Sequence, residues 1–329
     1  MAWDDTPLAR LLGVRLPIVL APMAGGPSTP RLAAAVSEAG GLGSLAGAAS
    51  HPDALREEIR ETRRLTSRPF AVNLFAPLPA PSNARVDEWA ALLGVEPPQT
   101  PGASPRLEDQ LAVVVDERVP VFSFTFGIPP LDGVDAVTVG TATTVAEAIA
   151  LEEAGADVVV AQGFEAGGHR GTFLGAVARS LVGTLALVPQ VVDAVSVPVV
   201  AAGGIMDGRG IAAALALGAQ GVQLGTAFLP SDEAGTTAEH REALARETTI
   251  TNVMTGRHAR GVHRALIDRL EATRVEPPDY PLPRLLFPDQ LLLAGQGGPL
   301  ARSLPAGELV ATLVAETEAA LVLSRMGAA

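Results

Sequence analysis

The sequence predicts a closed parallel barrel of eight β/α units. Three observations carry the prediction: short, continuous apolar runs of the kind buried on both faces, amphipathic helical stretches between most of them, and small or polar residues where most runs end. Strands are expected at residues 17–21, 41–46, 70–75, 119–124, 135–139, 157–162, 197–202 and 221–226. Helices are expected at 30–39, 53–65, 107–117, 145–154, 185–194 and 210–217, where apolar residues return every three or four positions. The gap between the fourth and fifth strands has room only for a turn of helix at 128–131. Such strict alternation favours closure over an open, doubly wound sheet, and a barrel of this kind takes about 250 residues.

The chain has 329 residues, so it carries more than a minimal barrel. Residues 77–105, rich in Pro, Ala and Ser, extend the loop after the third strand. Residues 232–300 follow the eighth strand, with helices expected at 238–248 and 259–272 and a proline-rich passage at 277–288. Both should emerge at the C-terminal rim, where loops build sites, and form a lid. The expected organisation is a barrel over 1–231 with the rim insertion 77–105, a smaller cap or substrate-side segment over 232–304, and a C-terminal segment 305–329 whose helix (305–324) packs back on the barrel.

Composition removes several functional classes. A net charge of −12 without a basic stripe argues against nucleic acid as partner. No apolar run approaches the 18 or so residues of a membrane span, and residues 1–15 lack a signal-peptide pattern, so a cytoplasmic location is the default expectation. There is no cysteine, which excludes disulfides, thiolate nucleophiles and Cys-ligated metals. All 24 basic residues are arginine, so an enzyme forming a Schiff base through its own lysine is excluded as well. No His/Asp/Glu spacing suggests a metal site.

Two constellations carry chemistry. The seventh strand ends in Ala202-Gly203-Gly204-Ile205 and the eighth in Gln223-Leu224-Gly225-Thr226. Glycines at these adjacent strand ends leave backbone N–H groups free to meet an anion, at the two loops that usually hold phosphate in such a barrel, although tight strand-to-helix turns explain the same glycines. At the other strand ends stand Ala21-Pro22-Met23, Asn73 and Gln162. Their amides suit a heteroaromatic ring with alternating N–H and C=O edges, or else serve as turn and solvated loop residues. The most informative stretch, residues 161–172, opens a buried strand into a loop holding Glu165, Gly167, Gly168, His169 and Arg170. His169 titrates near neutral pH and is flanked by glycines that let a flat ligand approach; a solvent-facing histidine is the plain reading. His51 is expected to cap a helix, His258 and His263 to lie on the surface, and His240 to be solvated in a charged helix.

Taken together, residues 17–23, Asn73, 123–129, 162–171, 202–205 and 223–226, with Thr255-Gly256-Arg257 and Gly295-Gln296-Gly297, resemble the nitronate monooxygenase family, formerly the 2-nitropropane dioxygenases, over nearly the whole chain. The resemblance implies an FMN-dependent TIM barrel with a smaller domain over the flavin. It implies FMN contacts at Asn73, Gln162, Gly167, Gly204 and Gln223 through Thr226, with His169 as catalytic base or proton donor. With the strand-end reading, the cofactor-binding set is Ala21, Pro22, Met23, Asn73, Gln162, Gly167, Gly168, Gly203, Gly204, Gln223, Leu224, Gly225 and Thr226. The expected partners are a nitronate or nitroalkane and O2, with a homo-oligomer left open. Arg170 is expected to balance the substrate's charge or to pair with Glu165. Tyr280 is the only tyrosine, and Leu293-Ala294 stands where relatives often have an aromatic residue, so the substrate pocket is expected to be aliphatic. An NAD(P)H-dependent FMN reductase acting on quinones or enoyl-thioesters is the second reading, because flavin-dependent enoyl-acyl-carrier reductases carry a similar Glu-Ala-Gly-Gly-His loop. A flavin-binding module without turnover is the third.

Overall fold

The computed structural model describes residues 3–82, 84–97, 105–287 and 291–326; parts of the 77–105, 277–288 and 305–329 segments lie outside the described residues. Eight parallel strands form the barrel: β1 (Ile18–Leu20), β2 (Gly43–Ala46), β3 (Phe70–Phe75), β4 (Val121–Thr125), β5 (Val137–Ala142), β6 (Val158–Gln162), β8 (Val199–Ala202) and β9 (Gly221–Leu224), while β7 (Gly168–His169) lies outside it. Each strand pairs with its neighbour in the sheet order β1-β9-β8-β6-β5-β4-β3-β2. The seam closes through residue 42: the Leu20 amide donates to the Leu42 carbonyl and the Leu42 amide to the Ile18 carbonyl, both at 2.9 Å.

Strand alternation sorts the core into two layers. Outward-facing Ile18, Leu20, Leu45, Val72, Leu74, Phe122, Phe124, Val159 and Val222 pack beneath the surrounding helices. Inward-facing Val19, Leu42, Ala71, Val121, Val139, Val158, Val160 and Val200 fill the barrel's interior, and Leu8 and Leu12 of the helix Pro7–Leu12 join them. At Gly43 a helix crosses the barrel so closely that a Cβ would lie 1.9 Å from the Ala33 carbonyl oxygen, so only glycine fits.

The helix expected at 128–131 is absent: these residues are irregular, with a turn only after them, at Asp132-Gly133, because Pro129 and Pro130 supply no N–H to a helical ladder. At the rim the expected helix 238–248 stops at Ala243, and residues 259–262 are strand rather than helix. Strands β10 (Thr248–Thr251) and β11 (Ala259–Val262) pair antiparallel, and β11 pairs in turn with β7. The β-branched run Thr248-Thr249-Ile250-Thr251 favours extended backbone, and the paired edge decides the rest. The helix Val86–Leu93 from the first insertion shares a small core with the second: Val86 and Trp89 pack with Met254, Ile267, Leu270, Leu282 and Leu286. The helix Ala306–Met326 lies on the barrel side, where Glu316 accepts the Gly208 amide proton at 3.1 Å. Among the described residues no helix is long and apolar enough to cross a membrane.

Candidate active site

A cavity of about 320 Å³ opens at the C-terminal end of the barrel. All thirteen residues expected to hold a cofactor line it, and so does His169. The sequence separates these residues by up to 205 positions (Ala21 to Thr226); the parallel sheet brings them together because every strand ends at the same rim.

On one side lies a set of unused amides. The N–H groups of Gly203, Gly204, Gly225 and Thr226 donate to no acceptor among the described residues. Gly203 (φ +117°) and Gly204 (φ +72°) sit in backbone regions that only glycine enters without strain, which turns the chain back over the strand ends. The following helix, Gly208–Ala216, does not contribute its N-terminus: the Asp207 carboxylate already accepts its first amides. Thr226 Oγ1 accepts the Gly295 amide proton at 2.9 Å and ties this strand end to the 295–297 loop.

The amide side chains divide. Asn73 donates from Nδ2 to Ser123 Oγ at 3.1 Å and keeps its oxygen open, and the Gln223 side chain has no hydrogen bond among the described residues. Gln162 mainly holds the loop: Nε2 donates to the His169 carbonyl, and Oε1 accepts from Arg170 and the Gly171 amide. Arg170 neither faces a substrate nor pairs with Glu165. It is buried, donating to the carbonyls of Gln162, Gly163 and Ser180, while Glu165 accepts from the Thr184 amide and hydroxyl. Buried Arg170 and half-buried Glu165 both serve as scaffolding for the loop. Glu147, also buried, accepts the amide protons of Phe173 and Leu174 at its far end.

His169 is set by this scaffold and by pairing with Ala259 across β7 and β11. Its Nε2 lies 3.0 Å from Thr255 Oγ1. The threonine hydroxyl donates to the Arg257 carbonyl at 2.9 Å, so it accepts from His169, and the imidazole carries its proton on Nε2. Nδ1 is left with a lone pair and no partner among the described residues. Burial, reinforced by the Arg257 charge, lowers the imidazole pKa to about 4 and keeps the ring neutral near pH 7.

The wall around His169 is aromatic rather than aliphatic. The rings of Phe126 and Tyr280 meet the imidazole edge-on at 5.7 and 5.4 Å, and Phe75 lies 4.5 Å from Phe126. Tyr280 comes from the proline-rich passage and Phe126 from the turn after β4, so sequence alone did not unite them. His240, expected to be solvated, is buried and lines the cavity; Nε2 meets the Leu293 carbonyl at 3.0 Å and Nδ1 is unpartnered. Its helix is charged, but the face carrying His240 and Ala243 turns inward. His51 does cap its helix, accepting from the Asp53 amide, and His263 meets Asp268 at 2.9 Å. His258 is half-buried.

Among the described residues no Asp or Glu lines the cavity; Arg284 is the formally charged residue on its wall. In a chain with 36 acids against 24 arginines, the described lining of this pocket thus holds no acid, with free N–H groups and a neutral histidine.

Comparison with known proteins gives a consistent result. A family model described as nitronate monooxygenase matches residues 6–316. The nitronate monooxygenase of Pseudomonas aeruginosa is 47% identical over 343 aligned positions, covering 93% of this chain and 97% of that protein. The solved nitroalkane oxidase of Streptomyces ansochromogenes superposes with a TM-score of 0.88 at 41% identity, covering 96% of this chain and 99% of the other. FabK from Thermotoga maritima superposes with a TM-score of 0.79 at 30% identity, covering 98% of each chain.

Proposed function

Because the chain belongs to the nitronate monooxygenase family, we propose that it oxidises alkyl nitronates with O2 as electron acceptor, using FMN held in the cavity at the C-terminal end of the barrel. The observation that carries this reading is a cavity with no Asp or Glu among its described lining residues, with free amides at one side and a neutral histidine at the other. The residues fit FMN. The amides of Gly203, Gly204, Gly225 and Thr226 would hold its phosphate, and Asn73, Gln223 and the remaining Gln162 hydrogen would meet the polar edges of the ring. Ala21, Pro22 and Met23, with Gly167, Gly168 and Leu224, would pack against the flavin's apolar surface. Bound flavin supplies the redox chemistry.

The chain's own part is acid–base and electrostatic. His169 Nδ1 takes the proton from the carbon of a neutral nitroalkane, or orients a nitronate already formed, while Nε2–H stays anchored on Thr255. A positioned base of this kind contributes about 10²–10⁴ in rate. Phe75, Phe126 and Tyr280 keep water from the reacting carbon. Residues 232–304 act as the cap that closes this side.

Anaerobic reduction of the purified protein tests the reading. About one FMN per chain should be released on denaturation, and a pre-formed alkyl nitronate should bleach the flavin absorbance, with O2 restoring it. Fast bleaching by NADPH without response to nitronate would make the protein a reductase. Failure to take up FMN would remove the reading entirely.

A further inference from the structure

Three arginines surround the loop that carries His169, and one differs from the others. Arg170 commits its terminal nitrogens to Gln162, Gly163 and Ser180, and Arg260 commits all three nitrogens to Phe164 and Thr248. Arg257 makes one side-chain hydrogen bond, from Nη2 to the Thr172 carbonyl at 2.9 Å. Among the described residues none of the three has a carboxylate within ion-pair reach, but half-buried Arg257 is the one that leaves two guanidinium nitrogens without a hydrogen bond.

Its seat is unusual too. The guanidinium lies over the face of Phe126, 4.1 Å from the ring centroid. Phe126 has φ +76°, a left-handed conformation that a bulky residue holds only under strain. The other non-glycine residues with positive φ among those described, Arg85, Arg118 and Arg274, are exposed turn residues, whereas Phe126 is buried on the cavity wall. The strained backbone places one ring against His169, Tyr280 and Arg257 together.

A half-buried cation without a carboxylate is unfavourable unless an anion arrives to compensate it. Among the described residues no acid on the cavity wall competes for that charge. We propose that Arg257, seated on Phe126, is the counter-charge that makes this cavity select anionic substrates at His169. The proposal rests on the reading of the site as a nitronate oxidase and assigns its charge selectivity to a residue. Arg257 is not on the cavity surface, so it acts across the wall of Phe126, Tyr280 and His169, where low polarity leaves its field less screened than in water. It is a specificity-determining residue rather than a catalytic one.

The test uses FMN-loaded protein and nitrite, a small planar anion, titrated through the flavin absorbance. Arg257→Gln should weaken nitrite binding and raise the KM for pre-formed nitronate by about ten- to hundredfold, with the KM for the neutral nitroalkane unchanged to within about twofold. Arg257→Lys should restore most of the anion affinity. Far-UV circular dichroism and FMN content report on folding in both variants. Wild-type nitrite affinity in Arg257→Gln would overturn the proposal, as would equal loss for anionic and neutral ligands. If the wild-type protein oxidises no nitronate at all, the proposed reaction fails by itself, and the nitrite titration still decides the role of Arg257.

Discussion

At the N-terminal end of the barrel the inward positions are Val19, Leu42, Val121, Val158 and Val200, closed from below by Leu8 and Leu12. Two residues past inward-facing Ala71, Val121 and Val139 stand Asn73, Ser123 and Thr141, and Gln162 follows Val158 and Val160 on β6. The alternation is identical and the chemistry is opposite. Apolar side chains at the closed end stabilise the sheet by removing their surface from water. At the open end the strands run into loops and a cavity, so polar side chains can be kept facing a ligand. One strand thus serves as frame at its start and as site at its finish, and substitutions should separate along that line.

The largest effect is expected in the frame. Gly43→Val would drive side-chain atoms into the Ala33 backbone, which cannot move without shifting a helix off the barrel. A loss of more than about 4 kcal/mol is expected, with no cooperative unfolding transition by circular dichroism; a folded variant would show that the barrel wall is more compliant than its packing implies.

His169→Ala should leave the fold and FMN content intact and slow turnover of neutral nitroalkanes by about 10²–10⁴. Turnover of pre-formed nitronate should fall much less, since its proton is already gone. Equal losses would make His169 a binding group instead of a base. The pH dependence has a defined sign: the base form is the neutral ring, so the wild-type rate on nitroalkanes is retained down to a pKa of about 4 and declines only below it, where the ring gains a proton.

The smallest of the three effects on the molecule as a whole is expected at Gly204→Asp. Its Cβ would meet Glu165 Cβ at 3.3 Å with φ +72°, adding strain and a negative charge where a phosphate is to bind. The barrel should remain folded while FMN retention drops by a few kcal/mol of binding energy, read by flavin fluorescence after gel filtration. Full FMN occupancy would place the phosphate elsewhere.

Sequence by itself determined the repeating frame and the strand ends. Buried parallel strands require continuous apolar runs, as in residues 158–161, and the glycines at 203, 204 and 225 and the amides at 73, 162 and 223 stand at the only end where loops can open a site. Tertiary structure decided the rest. Strand β7 is two residues long and exists because β11 offers it an edge, which no local pattern in Gly168-His169 announces. Arg170 and Glu165, five positions apart in one loop and opposite in charge, go to carbonyls and to Thr184 instead of each other. His240 lies in a charged helix whose inward face is chosen by Leu293 across the cap. The aromatic wall joins Phe75, Phe126 and Tyr280 from three distant segments. Periodicity reports which face of an element is buried, because burial is repeated along it; which partner a single polar or aromatic side chain meets is fixed by contacts remote in the chain, and these exist only once the distant segments have packed together.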